Sequence, residues 1–489
     1  PAPTPTSRSV LLGGGDDGWM ADKDLGSLFT VTKSAGVQHV WNEDDPAKRK
    51  VTGKGVGVAL IDSGVTEVKG LNGKVTYGPD LSFESQDPAT RNADTFGHGT
   101  HMAGIIAGRD PGMKDGDLDK KEKFVGVAPD ANLLSVKVAD RDGAVDVTQV
   151  IAAIDWVVAH RNDPGLNIRV LNLSYGTDST QSYLIDPLAH AVENAWRAGI
   201  VVVVAAGNDG NHTETLTNPA IDPYVVAVGA ADHHGTEDRK DDTVATFSNR
   251  GSATRSPDLI APGRSLVSLR APGSEIDDEN STAVVTDLAG PRLFRGSGTS
   301  QAAAFTSGAA ALILQDRPAL TPDQVKALLT TTADPIANTD RRLQGAGLID
   351  VDQAVDAKSP LTASQTFPVS TGVGSIEAAR GSSHVADPDT GEELTGERDI
   401  FGEVWDGRSW AGRSWAGRSW AAGEWMGRSW AGSQWQGRSW AAADWTGRSW
   451  AGRSWAGRSW AGRSWAGRSW AGRAWASRAW VVAAASDPS

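Results

Sequence analysis

Val56-Gly-Val-Ala-Leu-Ile61 runs directly into Asp62-Ser63-Gly64, so an unbroken apolar run ends in a carboxylate. A short apolar run without polar alternation predicts a strand that is buried on both faces, as in a parallel sheet. Four more runs of the same kind lie at 133–138, 170–173, 200–205 and 225–228. This part of the chain is therefore expected to form a largely parallel, buried sheet.

Two amphipathic stretches between these runs predict helices. One spans Val147–His160 and follows Asp146, an N-cap residue; the other spans 187–198, with Asp186 as the cap and Pro187 at the first helical position. Strands that alternate with helices predict an α/β fold, a doubly wound parallel sheet with flanking helices. In such folds the active site gathers at the carboxyl edge of the strands.

The composition excludes several classes of site. The 489 residues contain no cysteine, which excludes disulfides, thiolate metal sites and cysteine nucleophiles. The formal net charge of −13 makes nucleic acid an unlikely main partner. No run of 18 apolar residues occurs, so no membrane span is predicted, and the start Pro-Ala-Pro-Thr lacks the features of a signal peptide.

Changes in composition divide the chain into five predicted regions. Residues 1–28 are rich in Pro, Gly, Ser and Asp and predict a flexible leader, and residues 29–356 predict the globular domain. Residues 357–404 are polar and poor in core-forming side chains, which favours a linker. Residues 405–480 form a tryptophan repeat, and residues 481–489 are a short tail.

Two segments carry candidate acid–base groups. Asp62 follows a buried strand, where it either points into the crevice or caps an ordinary turn. His98 lies in Gly97-His98-Gly99-Thr100-His101, where small neighbours allow a helix start to pack closely. A metal site on His98 and His101 is disfavoured because no third ligand has suitable spacing, and His101 is expected to be a buried structural residue.

Two further segments carry a candidate nucleophile and a candidate amide donor. Ser300 lies in Gly296-Ser-Gly-Thr-Ser300, ahead of an Ala-rich stretch, and so near a helix N-terminus that favours a developing oxyanion. Its alternative role is an ordinary N-cap. Asn208 ends the apolar run at 200–205 through Ala-Gly, where it either donates to an oxyanion or forms a turn with Asp209-Gly210.

Together and in this order, the four segments resemble the subtilisin family (subtilases, peptidase family S8). The resemblance covers about residues 29–356 and includes the ancillary stretches Gly126-Val-Ala-Pro-Asp130 and Leu259-Ile-Ala-Pro-Gly263. It implies a secreted serine endopeptidase that hydrolyses peptide bonds through an acyl-enzyme intermediate. By this resemblance Asp62, His98 and Ser300 are the catalytic triad, and Asn208 contributes to the oxyanion hole.

The resemblance also assigns substrate-binding residues. Ser174, Tyr175 and Gly176 would line the cleft and accept the polypeptide substrate as an added strand. Ala205, Ala206 and Gly207 would form the other wall of the primary specificity pocket, where small residues favour a bulky apolar side chain.

The chain also departs from the family pattern. The family usually has Met directly after the nucleophile and Pro four positions beyond it, where this chain has Gln301 and Ala304. We expect altered cleft lining or altered helix packing, with retained chemistry. The chemistry requires no cofactor. Structural Ca²⁺ is implied by the resemblance alone, because the acidic stretches at 115–119 and 275–279 lack a convincing ligand spacing, and no metal ligands are predicted.

The segment 405–480 has Trp at every fifth position, sixteen in all, mostly as Ala-Gly-Arg-Ser-Trp. Twelve Arg and three acids give it a net charge of +9, which leaves −22 for the rest of the chain. Substitutions at Glu424, Gln434 and Asp444 recur every ten residues, which indicates a two-pentad unit. A coil with a whole number of pentads would make the positions equivalent, as in a β-solenoid.

Three interpretations of the repeat stay open: binding to glycan or cell-wall polymer, ordered self-association, and a disordered tail. We expect it to localise or assemble a secreted or envelope-associated protease. The alternatives are a catalytically silent structural or binding protein, and a protease that its repeat regulates.

Overall fold

The computed structural model describes residues 20–24, 26–42, 50–85, 87–386, 393–400, 404–405, 426–428 and 436–438. Eight strands form the main sheet: β1 (Gly57–Asp62), β2 (Val75–Asp80), β3 (Asn132–Lys137), β4 (Ile168–Leu173), β5 (Val201–Ala205), β6 (Val226–Asp232), β7 (Thr243–Val244) and β8 (Leu259–Pro262). All pairs are parallel except β6 with β7. Every residue of β1 and β5 is buried, as their apolar runs predict.

The helices of the described chain are α1 (Leu28–Ser34), α2 (Val37–Trp41), α3 (His98–Ala107), α4 (Val147–His160), α5 (Pro187–Arg197), α6 (Glu275–Glu279), α7 (Thr299–Asp316), α8 (Pro322–Thr331), α9 (Arg341–Gln344), α10 (Val351–Asp356) and α11 (Ile376–Arg380). Helices α3 and α7 pack on each other and α4 packs on α5, while each pair also contacts the sheet. The predicted α/β fold with a mostly parallel sheet is confirmed. No described helix has the length and apolarity that a membrane crossing needs.

The caps explain why two helices begin where the sequence predicts. The Asp146 carboxylate accepts from the N–H of Thr148 at the start of α4, and Asp186 accepts from two N–H groups at the start of α5. Pro187 occupies the first turn of α5. Such caps satisfy N–H groups that have no partner inside the helix.

The order of strands in the sheet is β2-β3-β1-β4-β5-β6-β7, and β8 pairs with β6. The chain therefore first extends the sheet on one side of β1 and then returns to build its other side. A strand at which the winding reverses in this way is a topological switch point, where doubly wound folds open a crevice at the carboxyl ends. Asp62, the last residue of β1, lies at this point.

The globular domain ahead of residue 357, called the body below, also contains a second, smaller sheet and a side-chain contact that fixes the chain ahead of β1. The strands β9 (Leu266–Leu269), β10 (Val284–Asp287) and β11 (Gly290–Gly296) pair in the order β10-β11-β9. Near the carboxyl-terminal end of α7, the Gln315 side-chain oxygen accepts from the N–H groups of Thr52, Gly53 and Lys54, at 2.6–2.9 Å. This contact fixes the chain just ahead of β1.

The described part of the predicted leader contacts the body. Asp24 forms an ion pair with Arg295 at 2.5 Å, and Ser27 is buried and caps α1. Residues 1–19 lie outside the described residues.

Residues 357–386 and 393–400, within the predicted linker, pack on the body and are called the arm below. Its side chains Ile376, Ala379, Val385 and Leu394 are buried in the main hydrophobic core. Arg380 is also fully buried. The arm is thus continuous with the domain that precedes it.

Two short strands of the repeat are described, β12 (Met426–Arg428) and β13 (Gln436–Arg438). They pair in parallel, with Met426 opposite Gln436 and Arg428 opposite Arg438. The pairing therefore joins equivalent positions of successive ten-residue units. Apart from Trp405, the rest of the repeat and the tail at 481–489 lie outside the described residues, and the β-solenoid stays a prediction.

Candidate active site

Asp62 and His98 meet at the carboxyl end of β1. His98 Nδ1 lies 2.7 Å from Asp62 Oδ1, and the two side chains are each 1 % exposed. Asp62 Oδ1 also accepts from the backbone N–H of Ser63 at 2.8 Å. Gly99 allows the close approach, because a Cβ on it would lie 2.0 Å from the Gly64 carbonyl oxygen. The sheet and the first turn of α3 thus hold a carboxylate–imidazole pair away from solvent.

A second buried carboxylate, Asp94, binds residues that lie next to this pair in the chain. Its Oδ1 accepts from the Ser63 hydroxyl at 2.8 Å and from the Gly97 N–H at 2.6 Å, and its Oδ2 accepts from the Thr100 N–H at 2.7 Å. Burial raises its pKa, while the bond to Thr100 opposes that shift. Sequence reasoning missed Asp94. The available signal was an Asp placed three residues ahead of Gly97, as in a capping turn.

Ser300 is the second residue of α7 and is 3 % exposed. Its carbonyl oxygen accepts from the Ser174 hydroxyl at 3.3 Å, and the Ser174 hydroxyl in turn accepts from the side-chain amide of Asn172. Ser174 directly follows β4, so Ser300 is tied to the strand next to β1.

The orientation of Asn208 is fixed by the residue that precedes Ser300. Asn208 Oδ1 accepts from the Thr299 N–H at 2.8 Å and from the Thr299 hydroxyl at 3.1 Å. Because both donors bind the oxygen, the amide nitrogen is the end of Asn208 that is left to act as a donor. The structure therefore brings Asn208 and the start of α7 together.

The two predicted walls of the cleft are joined by one segment. Thr217 donates its N–H to the Ala206 carbonyl at 3.1 Å, and a Cβ on Gly176 would lie 2.5 Å from the Thr217 hydroxyl. Gly207 has a φ of 113°, and a Cβ there would lie 2.4 Å from the Asn249 side-chain nitrogen. Thr217 therefore contacts both Ser174–Gly176 and Ala205–Gly207, and the positive φ together with the nearby Asn249 favours glycine at Gly207.

His101 lies on α3, three residues after His98, and contacts β11. It is fully buried, its Nε2 lies 3.1 Å from the Phe294 carbonyl oxygen, and burial lowers its pKa to about 3. A buried, neutral imidazole between α3 and β11 agrees with the expected structural role.

The described residues do not offer a metal site. No three His, Asp or Glu side chains in the described ranges are grouped to hold an ion. In the two acidic stretches, Arg141 pairs with Glu275 and Asp278, Arg270 pairs with Asp277, and Lys120 pairs with Asp117. Carboxylates neutralised in this way do not fit the oxygen cage that Ca²⁺ prefers.

The chain is similar to several known proteins. A sequence profile described as the subtilase family matches residues 53–348. The serine protease AprX of Bacillus subtilis is 38% identical over 311 residues, which are 62% of this chain and 67% of AprX. Subtilisin BL of Lederbergia lenta is 32% identical over 63% of this chain and 93% of its own length.

One solved structure with a similar fold is fervidolysin from Fervidobacterium pennivorans, described as a keratinolytic enzyme related to subtilisin. It is 28% identical, with a TM-score of 0.52, over 69% of this chain and 47% of fervidolysin.

Proposed function

Since this chain belongs to the subtilase family and is a serine endopeptidase, we propose that it cleaves polypeptides with Ser300 as nucleophile, His98 as general base and Asp62 as its partner. The observation that carries this proposal is the 2.7 Å contact between Asp62 Oδ1 and His98 Nδ1. A carboxylate there keeps the proton on Nδ1, so that Nε2 is the atom that accepts the proton of the Ser300 hydroxyl.

The proposed reaction proceeds in two displacements. The Ser300 oxygen attacks the scissile carbonyl while its proton passes to His98 Nε2, and His98 then returns that proton to the leaving amine. Water hydrolyses the resulting acyl-enzyme by the same route in reverse. Asp62 stabilises the imidazolium that forms in each half.

The oxyanion of each tetrahedral intermediate is proposed to accept from the amide nitrogen of Asn208 and from the backbone N–H of Ser300. Two observations support this assignment: the Asn208 oxygen is held by Thr299, and Ser300 lies in the first turn of an 18-residue helix. A helix N-terminus carries partial positive charge and N–H groups without partners in the helix, both of which favour an anion.

The substrate is proposed to enter as an extended strand along Ser174, Tyr175 and Gly176. Ala205, Ala206 and Gly207 would form the facing wall of the primary pocket. A peptide that adds a strand gains affinity from backbone hydrogen bonds and specificity from the pockets between them. Small side chains in the facing wall leave room for a bulky apolar residue.

We propose that the repeat localises or assembles a secreted or envelope-associated enzyme. The parallel pairing of Met426 with Gln436 supports a ten-residue structural unit, and regularly stacked units would present Trp and Arg in columns to a glycan or to another copy. Ending the chain after Trp405 separates this role from regulation. Lost retention on a polymer at unchanged peptidase activity supports localisation, whereas raised activity supports inhibition by the repeat.

The proposed triad is tested by comparing the intact chain with Ser300→Ala on a mixed peptide library and with a fluorophosphonate label. We expect cleavage and labelling of the intact chain and the loss of both in the variant; the corresponding loss in subtilisin is about 10⁶-fold in kcat. Ser297→Ala, in the same glycine-rich turn, is the matched control. Labelling that persists in folded Ser300→Ala would contradict the assignment.

A further inference from the structure

Arg380 is the last residue of α11, the one helix described in the arm, and its side chain is fully buried. Its Nε donates to Asp146 Oδ2 at 2.6 Å, and neither side chain is exposed to solvent. The guanidinium also donates to the Glu377 carboxylate and to the Gly396 carbonyl at 2.9 Å. An ion pair taken out of water stabilises only when its geometry is good and its remaining donors are satisfied. Arg380 meets these conditions.

Asp146 belongs to the segment that follows β3. It caps α4 with its other carboxylate oxygen, which lies 2.9 Å from the Thr148 N–H. The Thr148 hydroxyl in turn accepts from the N–H of Ile400, farther along the arm. Two separate contacts therefore tie the arm to the end of this segment.

The same arm also holds the segment that follows β4. The Thr177 hydroxyl donates to the Ala379 carbonyl at 2.7 Å, and Asp178 accepts from both the N–H and the hydroxyl of Ser382 at 2.6 Å. Thr177 directly follows Gly176, the end of the proposed substrate-binding stretch.

These two segments flank the proposed catalytic carboxylate, because β3 and β4 are the neighbours of β1 in the sheet. Tyr175, in the second segment, lies near the charge pair. Burial raises the pKa of its hydroxyl well above the ordinary value; the Asp146 carboxylate raises it further, and the Arg380 guanidinium opposes both. The buried pair thus lies between the two sides of the crevice.

We propose that Arg380 is a positioning residue that fixes the spacing of the segments after β3 and β4, and that it thereby sets how strongly the enzyme uses substrate residues remote from the scissile bond. The inference rests on the proposed function. A peptide that binds as an added strand depends on the position of the proposed substrate-binding stretch along its whole length, whereas the bond to be cut contacts only the triad and the oxyanion hole. Displacement by about 1 Å is enough to weaken such a fit.

The test compares Arg380→Met and Arg380→Lys with the unaltered full chain on two chromogenic amides that share the residue before the scissile bond. One substrate has that residue alone, and the other has three more residues ahead of it. For Arg380→Met we expect kcat/KM to fall about 10-fold on the long substrate, mainly through KM, and by less than about 3-fold on the short one. Arg380→Lys keeps the charge next to Asp146 and should recover part of the loss.

Two more variants make the result decisive even if Arg380→Met folds poorly. Thr177→Val removes only the 2.7 Å bond to Ala379. It should also lower kcat/KM more on the long substrate than on the short one, by a smaller factor than Arg380→Met does. Arg255→Met is the matched control. Arg255 binds Asp258 and the carbonyls of Ala220 and Asp222, and Asp258 directly precedes β8 and so lies at the amino edge of the sheet. Arg255→Met should leave the ratio of kcat/KM on the long substrate to kcat/KM on the short one unchanged.

Equal losses on both substrates, or no loss in either Arg380→Met or Thr177→Val, would overturn the inference. Fluorophosphonate labelling keeps this outcome apart from failure of the proposed function, because the label needs only the nucleophile and its base. Normal labelling of Arg380→Met with an unchanged substrate ratio contradicts the role of Arg380 alone. Labelling of Ser300→Ala contradicts the triad.

Discussion

The site around Asp62 and the arm that packs beside it are held by different kinds of contact. At the site, each side chain is attached to the end of a strand or the start of a helix, and several regular elements fix it together. Along the arm, single polar groups such as the buried Arg380 and the exposed Ser382 bind side chains of the body one at a time. A substitution at the site should therefore change chemistry, whereas a substitution in the arm should change stability and shape.

The sharpest test of this contrast removes the arm. In a Ser300→Ala background, which prevents self-digestion, a chain that ends at Asp356 should unfold with a free energy lower by about 5 kcal/mol than one that ends at Trp405. Asp146 would lose its ion pair with Arg380, and breaking such a buried pair costs about 3–5 kcal/mol, while Ile376 would lose apolar burial worth about 1.5–3 kcal/mol. Denaturant titration measures the difference. Equal stability of the two chains would make the arm a mere linker.

At the site, Asn208→Ala should reduce kcat by about 10²–10³, as the loss of an oxyanion donor does in subtilisin. Steady-state kinetics on a soluble peptide measures the effect. Asn211→Ala, an exposed amide on the same loop, should have no effect. If the variant instead raises KM and leaves kcat unchanged, Asn208 would be assigned to substrate binding.

Asp140, in the segment after β3, should make stability depend on pH. Burial raises its pKa to about 8, and Glu84 adds to the shift. The folded protein then keeps the proton up to about pH 8 while the unfolded chain loses it near pH 4, so the contribution of this group to stability is greatest below about pH 4. Between these values it should fall by up to about 1.4 kcal/mol per pH unit on account of this group.

Asp140→Asn should flatten this dependence, which unfolding experiments at pH 5, 6, 7 and 8 would reveal. Asp119→Asn, at an exposed position, should leave the slope as it is. An unchanged slope in Asp140→Asn would mean that Asp140 is ionised in the folded protein.

The smallest expected effect contrasts two glutamines of α7. Gln301 is fully buried, and neither of its amide atoms has a hydrogen-bond partner among the described residues. Gln301→Met should raise the free energy of unfolding by about 1–3 kcal/mol with peptidase activity retained. Gln315→Met should lower it, because Gln315 accepts from three backbone N–H groups. The same sign for both variants would refute the comparison.

Much of the body could be predicted from the sequence because its signals are periodic or strictly local. Continuous apolar runs predicted β1, β3, β4, β5 and β6, and α4 begins and ends where the pattern after Asp146 predicts. The proximity of Asp62 and His98 was implied by the family resemblance of their two motifs.

The arm could not be predicted in this way, because its contacts follow no period. Arg380 and Asp146 lie 234 residues apart, and a polar composition gives no indication that an arginine will be buried. Asp94 was missed for a related reason, since a carboxylate that binds backbone N–H groups resembles any turn residue. The repeat has a clear period, but a five-residue period alone does not determine which element it forms.

The backbone hydrogen bonds between the arm and the loop ahead of α5 bear on how readily one molecule of this enzyme is cleaved by another. Leu184 and Ile185 are exposed apolar residues, and their carbonyl oxygens accept from the N–H groups of Thr371 and Gly374 at 2.8 and 2.7 Å. To be cleaved, such a loop must first extend into the cleft of a neighbouring molecule, and here it would have to release both bonds. The arm thus shields a stretch of chain that would otherwise invite autolysis.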